Sequence, residues 1–263
     1  MNRAIPRLVG MVHLLPLPGS PRFAGSMDEI IETAAKDAAV LVDAGFPALM
    51  VENFGDVPFH SDSVPPETVA AMTAAAMTIA SAGVPFGVNV LRNDGLSALG
   101  VAAATGARFT RVNVLTGMMH TDQGPVVGKA AQIQRARVAL CPEVEMWADV
   151  LVKHATPPPG SDPTQIARDT VERGLADAVI VSGTGTGARP DLERARIIGA
   201  AVPDGTRIVI GSGASGSNLG ELLEVADTVI VGSDIKTDGL ASNRPDPLRA
   251  SSFVSAAGKH GLL

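Results

Sequence analysis

The stretch DAVIVSGTGTGA (177–188) opens on an apolar run, Ala178-Val179-Ile180-Val181, and stops on alternating hydroxyl and glycine residues. The run has the length and β-branched character of a strand buried on a parallel sheet. The tail offers bare backbone N–H groups and short hydroxyls, which is how a loop holds an anion. A hinge or a plain turn would also use glycines, so recurrence has to decide. The pattern returns twice, in RIVIGSG (207–213) and TVIVGSD (228–234).

Working back along the chain, five more short runs of the same kind appear: LVGMVHL (8–14), ALMVEN (48–53), FGVNVL (86–91), FTRVNV (109–114) and EMWADVLV (145–152). Ala-rich stretches with helical spacing lie between them. In 27–44, Ile30, Ile31, Ala34, Ala38, Leu41 and Val42 share one face. Ser26-x-x-Glu29 reads as its capping box. Asp162-Pro163 and Asp246-Pro247 each set an N-cap residue before a proline at the first helical position. Gly45, Gly83, Gly106 and Gly174 follow four helices, where a left-handed residue is wanted.

Eight strand–helix units in 263 residues predict an α/β fold, one (β/α)₈ TIM barrel over 1–263. A doubly wound open sheet is the alternative, but it normally has fewer strands and needs a topological switch that the sequence does not display. The segments 15–26, 54–65 and 116–123 are rich in Pro, Gly, His and Asp and follow strands. They are expected as loops on the C-terminal face of the barrel.

Composition narrows the function classes. The chain is 46% hydrophobic and 18% charged, enough apolar residue for a large core. A net charge of −6 gives no bulk attraction to nucleic acid or anionic lipid. No run reaches the roughly 18 apolar residues that span a bilayer, and the proline-broken N-terminus makes a poor signal peptide. The single cysteine, Cys141, forms no internal disulfide, and no Cys/His spacing resembles a structural zinc site. A cytoplasmic protein that binds no nucleic acid and does not insert into membranes is expected. Ala-rich outer helices make a homo-oligomer the expected state.

Period-two alternation assigns the faces of each strand. Met50, Glu52, Asn89, Arg111, Asn113, Trp147, Asp149, Leu151 and Lys153 are predicted to point into the barrel, and His13 ends the first strand. Seven of these are polar, whereas barrel interiors favour Val, Ile and Leu. Buried polar groups need partners. The ion pairs Arg111–Asp149 and Glu52–Lys153 would be the bland account. A ligand site is favoured because the polar residues cluster at strand C-terminal ends. Glu52 or Asp149 would act as general base, with Asn113 beside them. Lys153 would bind an anion or form a Schiff base. His13, Glu52, Asp149 and His154 are the set that could hold a divalent metal; no cofactor is required by the sequence. His60 and Asp62 lie on a loop that could close over a ligand.

The glycine turns are the expected phosphate site, because loops after strands seven and eight of such barrels often donate N–H groups to phosphate. Ser212, Gly213, Gly232 and Ser233 would carry it, with Ser182, Gly183 and Thr184 beside them. His13, Asn89, Arg111 and His154 would hold the rest of the substrate. A helix start between Asn218 and Glu221 would add its dipole. GTGTG is neither a P-loop nor a GxGxxG fingerprint.

The motifs VGMVHLLPLPGSP (9–21), ALMVENFGDVPF (48–59), GVNVLRND (87–94), ATGARFTRVNV (104–114), ADVLVKHA (148–155), DAVIVSGTGTG (177–187) and VGSDIKTDG (231–239) resemble the BtpA family, which includes SgcQ-type proteins. The likeness covers nearly the whole chain, with Leu15 standing where a proline is expected. It implies a barrel akin to the ribulose-phosphate-binding group. Two functions follow. One is an enzyme acting on a small phosphorylated metabolite, a sugar phosphate or nucleotide, by isomerase, epimerase or lyase proton chemistry or by glycosidic cleavage. The other is a non-catalytic assembly factor, since BtpA is associated with photosystem I.

Overall fold

The structure, a computed structural model, describes residues 5–183, 185 and 190–263. Each apolar run forms a strand: β1 (Leu8–His13), β2 (Leu49–Glu52), β3 (Phe86–Asn89), β4 (Phe109–Val112), β5 (Glu145–Asp149), β6 (Ala178–Val181), β7 (Arg207–Ile210) and β8 (Thr228–Val231). All pair in parallel with their sequence neighbours, and β1 pairs with both β2 and β8, so the sheet closes into a TIM barrel. Closure leaves no edge strand and excludes the open doubly wound alternative.

The helices follow the strands: α1 (Met27–Asp43), α2 (Pro66–Ala80), α3 (Gly95–Thr105), α4 (Ala130–Leu140), α5 (Pro163–Arg168), α6 (Leu192–Ala201), α7 (Leu219–Leu223) and α8 (Pro247–Lys259). The caps explain several starts. Ser26 Oγ accepts from Glu29 N at 3.1 Å. Asp162 accepts from Thr164 N, and Asp246 from Leu248 N and Arg249 N. Gly45, Gly83 and Gly106 take the expected left-handed conformation. Gly174 does not: α5 runs into a π-helical turn, Asp169–Arg173, and Leu175 is the left-handed residue (φ 56°). Glycine is needed at 174 for close approach, because a Cβ there would lie 2.6 Å from Thr170 O. The segment 116–123 also differs from expectation. It forms a hairpin, Met118–Thr121 against Gly124–Val127, and Ala155–Thr156 adds a third short strand.

Alternation sorts the core into two layers. Leu8, Val12, Leu49, Val51, Val88 and Val112 face the helices. Val9, Met11, Met50, Phe109, Trp147, Ile180, Val209 and Ile230 fill the lower barrel. Phe109 stacks on Trp147 with centroids 4.2 Å apart. Two such rings on adjacent strands leave no room beside them, and β3 accordingly carries Gly87 against the Phe109 ring. Below, the Trp147 indole N–H donates to Glu145 at 2.9 Å, and Arg207 pairs with the same carboxylate at 2.6 Å. Glu145 and Arg207 are the first residues of β5 and β7, so this pair sits at the N-terminal end of the barrel, away from the residues at the strand C-terminal ends.

Gly87→Ala should therefore lower stability by about 1–3 kcal/mol, the usual cost of overpacking, in equilibrium urea unfolding. Adding Phe109→Leu should recover part of the loss. An unchanged midpoint for Gly87→Ala would contradict this packing.

Candidate functional site

The register places His13, Glu52, Asn89 and Arg111 side by side on four neighbouring strands. All four point inward, as alternation predicts. Arg111 pairs in register with Trp147, and Asp149 lies two residues further on. The guanidinium reaches diagonally to it, with Nε and Nη2 donating to Oδ2 and Oδ1 at 2.8 Å each. Asn113 Nδ2 adds a bond at 3.2 Å and Ser182 Oγ one at 3.4 Å. Burial works against the Arg111 charge, yet the charge and hydrogen bonds of Asp149 outweigh it and hold its pKa above the ordinary value. Asp149 is thus a counter-ion with its oxygens occupied. Gly211 makes the arrangement feasible, since a Cβ there would stand 2.9 Å from Ser182 Oγ and 3.3 Å from Arg111 Nη2.

Glu52 differs. One oxygen accepts from Asn89 Nδ2 at 2.6 Å, and the other faces His13 Nε2 at 3.8 Å. His13 Nδ1 lies 2.8 Å from Ala241 O. A carbonyl only accepts, so Nδ1 carries the hydrogen and the neutral ring turns the lone pair of Nε2 toward Glu52. Burial, then the charge of Lys236, holds the His13 pKa well below 6.5. The ring stacks on Phe54 at 4.3 Å. An unprotonated imidazole nitrogen and a carboxylate oxygen thus share one spot.

Lys153 reaches the mouth by another route than alternation predicts. β5 ends at Asp149, and Leu151 (φ 56°) and His154 (φ 57°) turn the chain left-handed. Leu151 consequently packs outside the barrel interior, and Val152 joins Val114, Met119 and Val126 under the hairpin. Arg92 Nη2 donates to Lys153 O at 2.6 Å. The expected Glu52–Lys153 ion pair is not formed: among the described residues Lys153 has no carboxylate within 4.0 Å. Burial first, then the charge of Arg111, lowers its pKa to about 8.

These groups line a cavity of about 420 Å³ with the loops after β7 and β8. Gly213, Ala214, Gly232 and Ser233 form one wall, and their backbone N–H groups meet no protein acceptor among the described residues. Asn218 shapes this wall: its Oδ1 accepts from Ser215 N at 2.8 Å and its Nδ2 donates to Gly213 O at 2.9 Å. α7 spans five residues, so the expected dipole contribution is replaced by this loop geometry.

Of the sequence-predicted residues, His13, Glu52, Arg111, Lys153, Ser212, Gly213, Gly232 and Ser233 line the cavity. Asn89, Asn113 and Asp149 stand behind them as partners. Ser182 turns its hydroxyl to Asp149 and its carbonyl to Arg194, so both are engaged within the protein. Gly183 is buried beside it. Thr184 lies outside the described residues. His154 and His60 are exposed, and Asp62 pairs with Lys129. The four proposed metal ligands do not converge: among the described residues no three His, Cys, Asp or Glu side chains form such a group. Sequence reading missed Arg92 and Lys236. Both are buried cations just beyond strand ends, quoted within GVNVLRND and VGSDIKTDG. Burial lowers the Lys236 pKa to about 8, against the pull of Asp37. A charged residue inside an otherwise small or apolar motif was the available signal.

Residues 5–259 match the BtpA family, and the chain belongs to it. It is 46% identical over 250 residues to the photosystem I biogenesis protein BtpA of a Synechocystis strain, covering 95% of this chain and 87% of the other. An uncharacterized Thermococcus kodakarensis protein is also 46% identical, covering 95% and 94%. Among solved structures, thiamine phosphate pyrophosphorylase from Pyrococcus furiosus superposes with a TM-score of 0.59 at 14% identity, over 96% of each chain. No helix among the described residues is long and apolar enough to cross a membrane.

The His13 assignment is directly checkable. Its folded pKa lies below its unfolded value, so it adds stability at pH above 6.5 that is lost as pH falls toward the folded pKa. Ring ¹⁵N shifts should show an Nδ1–H tautomer that does not titrate through pH 6.5. A midpoint near 6.5, or an Nε2–H tautomer, would remove the lone pair from the site.

Proposed function

We propose that this BtpA-family barrel is an enzyme acting on a small phosphorylated metabolite by proton transfer, in the isomerase, epimerase or lyase class. The observation that carries this reading is a shared cavity. Four backbone N–H groups without protein acceptors among the described residues line the same space as an unprotonated imidazole, a carboxylate and an ammonium. Gly213, Ala214, Gly232 and Ser233 would receive phosphate oxygens through N–H dipoles. His13 Nε2 or Glu52 would take a proton from the substrate. An imidazolium formed at His13 would gain the Glu52 charge beside it, which favours proton transfer in that direction. Lys153 would face negative charge developing on a substrate oxygen. Asp149, proposed from sequence as an alternative base, is better suited to hold Arg111.

The fold does not choose among reactions. The phosphate in the name of the Pyrococcus neighbour belongs to that protein and supports the reading only by analogy. A role in photosystem I biogenesis comes from the name of one relative, and an equally similar one carries no such name.

Thermal melting with sugar phosphates and nucleotides, each beside its unphosphorylated analogue, tests the proposal. A ligand at about 100 times its Kd adds roughly 2.7 kcal/mol, a shift of roughly 5 °C or more at this size. Gly232→Asp should abolish the shift with little change in the unliganded protein. The nearest atoms to a Cβ at Gly232 are 3.6 Å away, so the variant sets a carboxylate in the cradle without a close contact. Deuterium should enter a bound ligand from D₂O in the wild type and not in Glu52→Gln. A flat panel overturns the reading and directs the search to a protein partner.

A further inference from the structure

Among the described residues, Lys153 is the cation of the cavity lining that has no carboxylate within 4.0 Å. Arg111 is matched by Asp149. Of the two carboxylates in the lining, Asp234 accepts from Gly216 N at 3.2 Å, and Glu52 faces Lys153, Arg92 and Lys236. Arg92 and Lys236 are buried, whereas Lys153 opens on the cavity. Removing an ammonium from water without a partner is costly. An anion in the cavity is the missing partner.

A phosphate in the Gly213–Ser233 cradle leaves Lys153 unclaimed. The cradle is built from the loops after β7 and β8 and contributes no Lys or Arg to the lining. Lys153 follows β5, and Arg111 lies on β4, which stands opposite β8 in the ring of eight. A ligand with its phosphate in the cradle therefore presents its other end to Lys153. Among the described residues, Met11 and Ala214 are the apolar members of the lining, and no Phe or Trp ring lies in it. The space suits a short polar chain rather than a nucleobase. Cavities of about 300–1,000 Å³ hold small molecules, and about 420 Å³ accommodates a six-carbon chain with charged ends.

We propose that the ligand carries a second anionic group, a carboxylate, at the end away from its phosphate, and that Lys153 binds it. The substrate class is then a phosphorylated sugar acid rather than a neutral sugar phosphate or a nucleotide. This inference rests on the phosphate reading above. It adds a permanent charge where that reading needs only a developing one.

Isothermal titration with a matched set separates the two. 6-Phosphogluconate and glucitol 6-phosphate differ by a carboxylate in place of a hydroxymethyl group, and gluconate lacks the phosphate. At pH 7, wild-type protein should bind 6-phosphogluconate about 10- to 100-fold tighter than glucitol 6-phosphate, the scale of one charged hydrogen bond. Lys153→Gln should erase that preference, bringing the affinities for the two phosphates to within about twofold of each other. At pH 8.5, above the free-protein value of about 8 for Lys153, binding of the acid should take up a proton, read from titrations in two buffers of different ionisation enthalpy. Proton uptake and the wild-type preference decide the matter even if the variant does not fold. Equal affinity for the two phosphates overturns the carboxylate proposal and leaves the phosphate reading standing. A preference that survives in Lys153→Gln overturns the role of Lys153. Binding by none of the phosphorylated probes overturns both.

Discussion

A guanidinium enclosed by eight parallel strands must be met by an anion, and the bond between Arg111 and Asp149 is the constraint on which the upper barrel depends. It joins two adjacent strands diagonally through two hydrogen bonds of 2.8 Å. Asn113 and Ser182 fill the remaining positions on the carboxylate, and Gly211 leaves the space that the guanidinium crosses. Such pairs rarely stabilise a fold beyond what apolar residues would achieve. Three further residues committed to one pair indicate a positional use. With the pair in place, the floor of the cavity is polar and rigid, and Glu52 and Lys153 are held where water or a ligand can reach them.

Much of this was legible because a strand obeys a period of two. Once β2 to β5 are recognised, the inward positions of Glu52, Asn89, Arg111 and Asp149 follow from their numbers alone, and Arg111–Asp149 follows as a pairing. Legibility ends where the strands end. Alternation carried past Asp149 sends Leu151 and Lys153 inward together, but left-handed residues at 151 and 154 redirect the chain. Lys153 still reaches the cavity, by a loop, and the pair with Glu52 does not form. Arg92 and Lys236 were missed for the same reason, since both lie beyond strand ends, Arg92 in a turn and Lys236 in an isolated bridge to Pro245, on paths that no periodicity encodes. The hairpin at 118–127 overlaps the segment 116–123, whose Gly, His and Asp content reads as a loop, and its pairing comes from packing over Val114 and Val152.

Protonation divides the site into two kinds of group. Asp149 has its oxygens satisfied and serves as a fixed charge. His13 is fixed in tautomer by Ala241, stacked by Phe54, and kept neutral chiefly by burial. Glu52 is fixed by Asn89 on one oxygen alone. The groups with unused valence are therefore His13 Nε2 and the second Glu52 oxygen, and they adjoin. Protonating the imidazole creates an ion pair where two acceptors stood before. That difference between the two protonation states is what a proton-transfer site requires.

The same electrostatics work against the fold. Lys153 and Lys236 have folded pKa values lowered from 10.5 to about 8, with burial the leading cause in both. Between those values the unfolded chain binds more protons, so stability rises as pH climbs from about 8 toward 10.5. At neutral pH the whole penalty is present. Neutral replacements would relieve it, so packing alone gives no reason for two lysines here. A preorganised positive field in a low-dielectric cavity acts most strongly on an anion, because its dipoles and charges need not rearrange when the anion arrives. The energy withheld from folding is available to a bound anion, which connects the cost of the buried amines to the purpose of the cavity.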